Sequence, residues 1–417
     1  MGIEFPLKRV YNDYIKRTEG RVRMNKERLK NAKAWIDKEL EKSISFWLEN
    51  GIDKEHGGVY TCLDREGKVY STDKSVWMQG RCGWIFAWLC NVYGKRAEWV
   101  DASKSCIDFM DKYCFDSEER SRMYFSVTGD GKPLTQKNDS FSESFYAIAN
   151  AEFYGVTGEK KYLENALRAY NTYLKMYRES GDLPSVSARK MKPLGLPMIC
   201  INIANVLMRV DKENVQAYSS VARECIDDIF SNHYHPEIGC VLENVGLNGE
   251  AFLGFSEGRV VNPGHVIEAV WFVLEYARFK NDETLVEKAE QIFKMSYGIG
   301  WDKEYGGLLT FVDALGNPTE FYEHDIKKWW PQNELLIASL MLYRDTKKEE
   351  YLECFLDTLS YCKEHFSDET YGDWYGFLHR DGTVSLPAFK GSTYKGPFHL
   401  PRMLVMTDIM LDELINK

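Results

Sequence analysis

Two of the eight histidines in this 417-residue chain have similar settings, because each follows a Gly and a Pro at the predicted start of a helix. His265 lies three residues after Asn262, a predicted N-cap, with Pro263 at the first helical position. His399 follows a Gly-Pro-Phe tripeptide. The positive end of a helix dipole disfavours imidazolium, so a histidine there can stay neutral and accept a proton. The two settings predict a pair of proton-transferring residues, with a capping or structural histidine as the alternative for each.

Glu268 lies three residues after His265 and therefore shares its helix face. We predict that this carboxylate fixes the tautomer of His265 and raises its basicity. The shared face lies opposite an apolar stripe within residues 267–274. It is therefore either the solvated side of a surface helix or a wall of an internal cavity.

Tryptophans stand beside polar residues at two further helix starts, in residues 77–81 and 329–334. An aromatic platform next to Arg, Gln and Glu suits a sugar, which has apolar C–H faces and hydroxyl edges. The predicted substrate-binding residues are Trp77, Gln79, Trp329, Trp330, Glu334 and Lys395. Arg81 is predicted to stabilise a developing oxyanion. Burial in the core is the alternative for any single tryptophan.

Histidine suits both sides of a proton transfer, since its pKa lies near neutral pH. A neutral imidazole can accept a proton from a substrate, and a protonated imidazole can donate one to it. The histidines lack His-x-x-x-His spacing and no cluster of Asp and His is visible, so no metal is predicted.

A recurring phrase divides the chain into units. Residues 53–60 (Asp-Lys-Glu-His-Gly-Gly-Val-Tyr) are echoed at 302–308, and looser copies begin at residues 116, 235 and 367. The copies lie about 63 to 67 residues apart with one gap of about two periods, and a missing copy is predicted near residues 179–182. Each phrase leads into a turn with Gly, Asp or Asn, which predicts a short β-hairpin in each unit.

Apolar residues at helical spacing lie between the phrases, so each unit has room for two helices and a hairpin. Six such units can stack as an open solenoid or close into a ring. Closure is favoured because polar and aromatic residues recur at the starts of alternate helices, where an axial pocket would collect them. We predict an all-α (α/α)6 barrel with short β-hairpins at one end, formed by residues 35–417 as one domain, after a helical extension over residues 1–34.

The formal net charge of −10 argues against a nucleic-acid partner, which would need clustered Lys and Arg. No apolar run reaches the roughly 18 residues that span a bilayer, and the N-terminus lacks the apolar core of a signal peptide. These features predict a cytoplasmic protein without a membrane partner. The ten cysteines are scattered without a Cys-x-x-Cys pair, so we predict buried, reduced thiols.

Five motifs together resemble the N-acylglucosamine 2-epimerase family; they are residues 53–58, 78–81, 262–268, 329–334 and 396–402. The resemblance covers nearly the whole chain. It implies an (α/α)6 barrel, usually dimeric, that interconverts N-acetylglucosamine and N-acetylmannosamine. His265 and His399 match the two catalytic histidines of that family. The positions that line its sugar pocket are matched by Arg81, Glu268, Trp329, Trp330 and Glu334.

The resemblance also bears on substrate and cofactor. Related cellobiose 2-epimerases and aldose–ketose isomerases carry an extra histidine on the helix that corresponds to Pro197–Cys200, and this chain has none there, which favours an N-acylhexosamine. ATP activates animal members without being consumed. Residues 155–160 lack the Walker spacing of a phosphate loop, so we predict no required cofactor and leave ATP as an activator that is not consumed.

Three other functions stay open on the sequence. An inverting glycoside hydrolase on the same barrel would use two carboxylates, and Asp and Glu are abundant, although the histidines would then have no role. An epimerase or isomerase of mannose or cellobiose would apply the same proton chemistry to an unmodified sugar. A non-catalytic partner-binding protein would tolerate the loss of both histidines.

Overall fold

The computed structural model of the chain describes residues 6–117, 119–120, 122–137, 140–179, 190–319 and 325–416, with side chains from residue 24 onward. The helices, in chain order, are α1 (Pro6–Asn50), α2 (Val76–Tyr93), α3 (Ala97–Tyr113), α4 (Phe141–Thr157), α5 (Lys160–Arg178), α6 (Gly195–Val210), α7 (Val215–Asp228), α8 (Ser256–Arg259), α9 (Pro263–Lys280), α10 (Glu283–Gly300), α11 (Trp329–Thr346), α12 (Glu349–His365) and α13 (His399–Asn416). All except the short α8 belong to two concentric rings.

The inner ring consists of α2, α4, α6, α9, α11 and α13. Each of these helices contacts the next, and α13 contacts α2, which closes the ring. The outer helices pack against them in pairs: α3 on α2, α5 on α4, α7 on α6, α10 on α9, α12 on α11 and α1 on α13. The predicted (α/α)6 barrel is therefore confirmed, and the open solenoid is excluded.

The two rings differ in the pattern of their buried residues. Inner helices are covered on nearly every side, and in α11 the buried residues run without a break from Pro331 to Leu342. Outer helices bury one face, as in α5, where the buried residues follow helical spacing from Tyr162 to Tyr173. The polar side chains that an inner helix carries are therefore buried and need partners inside the barrel.

Helix α1 runs without a break through the boundary that we predicted between residues 34 and 35. Leu29 and Ala32 are already buried ahead of it, and Asn25 donates to the carboxylate of Glu349 on α12 at 2.9 Å. Residues 25–34 thus pack against the barrel and belong to the same helix as residues 35–50.

Short strands lie where the inner helices begin. They are β1 (Lys74–Ser75), β2 (Ser126–Val127), β3 (Pro133–Thr135), β4 (Lys192–Pro193), β5 (Tyr234–His235), β6 (Cys240–Val241), β7 (Asn244–Val245), β8 (Val260–Val261), β9 (Val312–Asp313), β10 (Ile326–Lys328) and β11 (Phe377–His379). Four antiparallel ladders join a strand that precedes an inner helix to the following unit: β1–β2, β4–β7, β8–β9 and β10–β11. Neighbouring units are therefore tied together at this end of the barrel.

The predicted hairpins form only in part. Within single units, β2 pairs with β3 and β5 with β6, whereas the phrases that begin at residues 53, 302 and 367 close with isolated bridges. The backbone groups of the strands instead pair mainly between units. Residues 180–189, which include most of the predicted missing phrase, lie outside the described residues.

In three of the phrases, the aspartate forms a buried ion pair with a lysine that lies about 20 residues further along the chain. The pairs are Asp53–Lys74 at 2.5 Å, Asp302–Lys327 at 3.0 Å and Asp368–Lys390 at 2.9 Å. The aspartates also accept backbone N–H groups of their own turns. Lys74 and Lys327 each lie two residues before an inner helix. These ion pairs therefore fix where α2 and α11 start.

Among the residues that the structure describes, no helix combines the length and the apolarity needed to cross a membrane. All ten cysteines lie in the described part of the chain. Each is buried and none forms a disulfide, as predicted.

Lys74→Ala is predicted to lower the free energy of unfolding by about 3–5 kcal/mol, because it leaves the buried carboxylate of Asp53 without its cation. The carbonyls of Gly57 and Gly129, which accept from Lys74 Nζ at 2.7 and 3.0 Å, lose a donor as well. Urea unfolding followed by circular dichroism measures the change. Lys54→Ala removes an exposed lysine of the same phrase and should cost less than about 0.5 kcal/mol. Equal losses in the two variants would contradict a structural role for the buried pair.

Candidate active site

A cavity of about 550 Å³ opens at the end of the barrel where the inner helices begin. Its volume is within the range of small-molecule sites. Seven residues predicted from the sequence line it: Trp77, Arg81, His265, Glu268, Trp329, Trp330 and His399. They come from α2, α9, α11 and α13, so the closed ring brings residues from distant parts of the chain into one cavity.

The indole of Trp330 lies against both histidines. Its ring centroid is 5.3 Å from that of His265 and 5.6 Å from that of His399, with interplanar angles of 39° and 37°. The two imidazoles cannot be further apart than the sum of these distances. Both also line the same cavity. A hexose bound there would lie within reach of the two rings.

His265 is held by the start of α9 and by a carboxylate from a preceding loop. Its backbone N–H donates to the side chain of Asn262, the predicted N-cap, at 3.1 Å. Its Nδ1 lies 2.9 and 3.1 Å from the two carboxylate oxygens of Glu243. Glu268, which we predicted to fix the tautomer of His265, is instead bonded to Arg402, but its charge helps to raise the pKa of His265, as predicted. Glu243 fixes the proton on Nδ1 and leaves Nε2 for the cavity.

His399 is the first residue of α13, and only 7% of its side chain is exposed. Its Nδ1 lies 2.7 Å from Oε1 of Glu334, while Oε2 of Glu334 accepts the indole N–H of Trp271 at 2.7 Å. We assign the proton of neutral His399 to Nδ1, because a carboxylate oxygen can only accept. Nε2 then carries the lone pair that a general base needs.

One guanidinium, that of Arg402, joins the two buried carboxylates. Its Nη2 donates to Glu268 at 2.5 Å and to Glu334 at 2.8 Å, and it lies 3.2 Å from Nδ1 of His399. Ligand atoms of Glu268, Glu334 and His399 lie within 4.8 Å of one another, a spacing that could hold a metal ion. In this arrangement a cation already stands between the carboxylates, since the guanidinium is bonded to both.

The surroundings shift the pKa values of the two imidazoles in opposite directions. Burial lowers the pKa of His399 well below its usual value, and the nearby charges of Arg402 and Arg81 lower it further. Burial also opposes protonation of His265, but the charge and the hydrogen bond of Glu243, together with the charge of Glu268, outweigh it and raise the pKa of His265. The two shifts therefore favour a neutral His399 and a protonated His265.

Arg81 lies on α2 among aromatic rings. Its guanidinium carbon is 4.1 Å from the ring centroid of Phe145, 4.8 Å from that of Phe398 and 5.8 Å from that of Trp77. Within the described part of the chain its Nε has no hydrogen-bond partner. Burial lowers the pKa of Arg81 to about 9, so the side chain keeps its charge at neutral pH. A cation in this position suits a negative charge that forms inside the cavity.

Three residues that we predicted to bind substrate lie behind the cavity wall. The side-chain amide of Gln79 accepts from the N–H of Val59 and donates to its carbonyl, both at 2.8 Å. Lys395 is buried, and its Nζ pairs with Asp373 at 3.0 Å. Glu334 is fully buried beneath His399. The structure thus places all three outside the cavity lining, with polar atoms bonded to the protein.

Two residues of the site were missed by the sequence analysis. Arg402 lies three residues after His399, and this spacing places both on one helix face, so the signal was present. Glu243 had no comparable signal. It lies in a loop 22 residues before His265, and only the fold brings the two side chains together.

Comparison with known proteins gives matches over nearly the whole barrel. The profile of the family described as N-acylglucosamine 2-epimerase (GlcNAc 2-epimerase) matches residues 58–395. An N-acylglucosamine 2-epimerase of Mus musculus is 36% identical over 406 residues, covering 94% of this chain and 96% of that protein. A cellobiose 2-epimerase of Bacteroides fragilis is 24% identical over 397 residues, covering 89% and 98%. The crystal structure of a D-mannose isomerase has a TM-score of 0.78 at 19% identity, covering 90% and 97%.

Glu243→Gln is predicted to lower the pKa of His265, because a neutral amide no longer stabilises the imidazolium. A reaction that needs His265 protonated proceeds below that pKa and is lost as the pH rises through it. The alkaline limb of kcat/KM against pH should therefore move to lower pH, while the acid limb, which we expect His399 to set, stays. Glu237→Gln, at an exposed position nearby, should move neither limb. An alkaline limb unchanged in Glu243→Gln would show that Glu243 does not tune His265.

Proposed function

Because this chain belongs to the N-acylglucosamine 2-epimerase family, we propose that it interconverts N-acetylglucosamine and N-acetylmannosamine by inverting C2 of the open-chain sugar. The observation that carries the proposal is the pair of imidazoles against Trp330 in one cavity, with pKa values shifted in opposite directions. Such a pair suits a reaction that removes a proton from one face of a carbon and adds one to the other.

In one direction, Nε2 of His399 removes the proton from C2. The C–H electron pair becomes the C1–C2 double bond, and the carbonyl oxygen becomes an oxyanion. The electrons then return to C2, where a new C–H bond forms with the proton from Nε2 of His265 on the opposite face. In the reverse direction the two histidines exchange roles. The enzyme carries the same number of protons before and after each turnover.

The other residues of the site support these two steps. Arg81 offers its charge to the oxyanion. Trp330 packs against the sugar and keeps water away from the imidazoles. Glu243 and Glu334 hold Nδ1 of the two histidines and so aim both Nε2 atoms at the substrate.

An inverting glycoside hydrolase fits the site less well. It would need two carboxylates that exchange protons with the substrate and with water. Glu268 and Glu334 are both bonded to Arg402, and Glu334 is also bonded to His399 and Trp271. An epimerase of unmodified sugars would share the proton chemistry. The related cellobiose 2-epimerases and aldose–ketose isomerases carry an extra histidine on the corresponding helix, whereas residues 197–200 of α6 contain none.

We propose that the reaction requires no cofactor, because two imidazoles and one guanidinium supply the proton transfers and the charge that it needs. ATP would act only as an activator that is not consumed, and assays with and without ATP test this. The proposal also includes a homodimer, an amino sugar as the small-molecule partner and a cytoplasmic location. Light scattering of the purified protein tests the oligomeric state.

Incubation with N-acetylmannosamine in D₂O tests the function directly. We expect N-acetylglucosamine to form with deuterium at C2, as followed by NMR. Parallel incubations with mannose, cellobiose and an N-acetylglucosamine oligosaccharide compare the alternatives. Release of reducing sugar from the oligosaccharide without exchange at C2 of any monosaccharide would replace the epimerase with a hydrolase.

His265→Asn and His399→Asn are each predicted to reduce epimerisation by at least about 10²–10⁴-fold, the usual contribution of a general acid or base. Each variant should still exchange the C2 proton of one epimer with solvent, because its remaining histidine serves one face. NMR in D₂O measures both quantities, and thermal melting checks the fold. His56→Asn replaces an exposed histidine and should leave turnover unchanged. Full activity in either active-site variant would refute the scheme.

Arg81→Met keeps much of the side-chain length beside Phe145 and removes the charge. We expect kcat to fall by about 10²–10³-fold, the usual cost of losing one oxyanion donor, with a smaller change in KM. Steady-state kinetics measure both constants. Arg96→Met, which removes an exposed arginine packed on Trp99, serves as the control. An effect of Arg81→Met on KM alone would assign Arg81 to ground-state binding.

A further inference from the structure

The wall of the active-site cavity is chemically divided between the inner helices. Helices α2, α9, α11 and α13 contribute charged or polar groups, including Arg81, both histidines and Glu268. Helices α4 and α6 contribute only apolar residues: Phe141, Phe145, Gly195, Met198 and Ile199. Two adjacent helices of the ring therefore form one continuous apolar surface, which we call the α4–α6 wall.

The order of helices in the ring places this wall relative to the histidines. α9 and α13, which carry His265 and His399, flank α11, which carries Trp330. α4 is the helix opposite α11, with α6 on one side of it and α2 on the other. A carbon held between the two imidazoles therefore has the indole on one side and the α4–α6 wall on the other.

The chemistry at C2 limits which group can face that wall. In the proposed reaction, the two histidines contact the two faces of C2, and Arg81 contacts the oxygen on C1. The carbons beyond C2 carry hydroxyl groups, and the side chains of the α4–α6 wall offer no nitrogen or oxygen to bond them. Arg81 lies over the ring of Phe145, but against Met198 and Ile199 on α6 a buried hydroxyl would stay unpaired and lose binding, whereas a methyl group would gain it.

We propose that the α4–α6 wall is the subsite for the acyl group of a 2-acylamino sugar and selects these substrates over sugars with a free C2 hydroxyl. This inference rests on the proposed epimerase function and adds the residues that read the substituent on C2. Met198 and Phe145 are each only 2% exposed, so they form a firm surface. The acyl methyl packs against this surface.

Gly195 leaves room at the edge of the subsite. A Cβ atom built on it would meet only Phe141, with the nearest atom at 3.5 Å, an ordinary contact. The residue begins α6 without a positive φ, so a larger side chain can be introduced there without backbone strain. Gly195→Val should therefore fill the subsite, while Met198→Ala should enlarge it.

The test compares kcat/KM for N-acetylmannosamine, N-butanoylmannosamine and mannose. In Met198→Ala, the ratio for N-butanoyl over N-acetyl substrate should rise about tenfold, and in Gly195→Val it should fall about tenfold. Met198→Gln, similar in size but able to bond a hydroxyl, should raise the ratio for mannose over N-acetylmannosamine. Met208→Ala makes the same truncation on α6 at the cavity of the opposite barrel end and should leave every ratio unchanged.

The outcomes separate the subsite from the function. If wild-type protein epimerises N-acetylmannosamine and the acyl ratios stay unchanged in both Met198→Ala and Gly195→Val, the subsite is wrong and the function stands. If wild-type protein exchanges C2 of mannose in preference to N-acetylmannosamine, the proposed function fails and the subsite fails with it. Thermal melting identifies a misfolded variant. Because the two substitutions lie at different positions, the acyl ratio of the variant that folds tests the subsite.

Discussion

The active end of the barrel depends on the buried guanidinium of Arg402. Glu268 and Glu334 lie beside it, and without its charge two carboxylates would be buried with no counter-ion, at a cost of several kcal/mol. The same charge lowers the pKa of His399. A carboxylate that orients a histidine also tends to raise the pKa of that histidine. The charge of Arg402 acts against this effect at His399. Glu334 can hold Nδ1 of His399 while the ring stays neutral.

The same arrangement of a lysine and a glutamine supports a charged residue in two units of the barrel. In the units of α2 and α11, a buried lysine precedes the helix. A glutamine five residues later bonds the backbone N–H and the backbone carbonyl of one residue of the phrase. Gln79 bonds Val59, and Gln332 bonds Leu308 in the same way. Two residues beyond each glutamine stand Arg81 and Glu334. Equivalent supports therefore position a cation that lines the cavity in one unit and a carboxylate that bonds His399 in the other.

The sequence predicted those parts of the structure that local pattern determines. Helical spacing and the repeated phrase gave the (α/α)6 barrel, and helix-start motifs gave His265, His399, Arg81 and Trp330. Residue type did not reveal which way a side chain points, since Gln79 lies two residues from Trp77 and Arg81 but bonds the backbone of Val59 outside the cavity. Glu334 lies four residues after Trp330 but bonds His399 from behind the cavity lining. Strand pairing between units and the contact of Glu243 with His265 depend on tertiary structure, so no local signal could predict them.

In the two-histidine scheme that we propose, the electrostatic asymmetry of the histidines would govern how the site returns to its resting state. After removal of the C2 proton by His399 and its replacement from His265, His399 would hold a proton that burial, Arg402 and Arg81 disfavour, and His265 would have lost one that Glu243 favours. With His399 protonated and His265 neutral, the site would be able to catalyse the reverse reaction. Its return to the resting state is favourable, but protons must reach solvent, and 30% of the His265 side chain is exposed against 7% for His399. His399 lines the cavity in which we propose that the sugar binds, and little of its side chain is exposed. In the proposed scheme, product release would therefore precede the loss of the proton from His399, and this order would couple the proton cycle to substrate exchange.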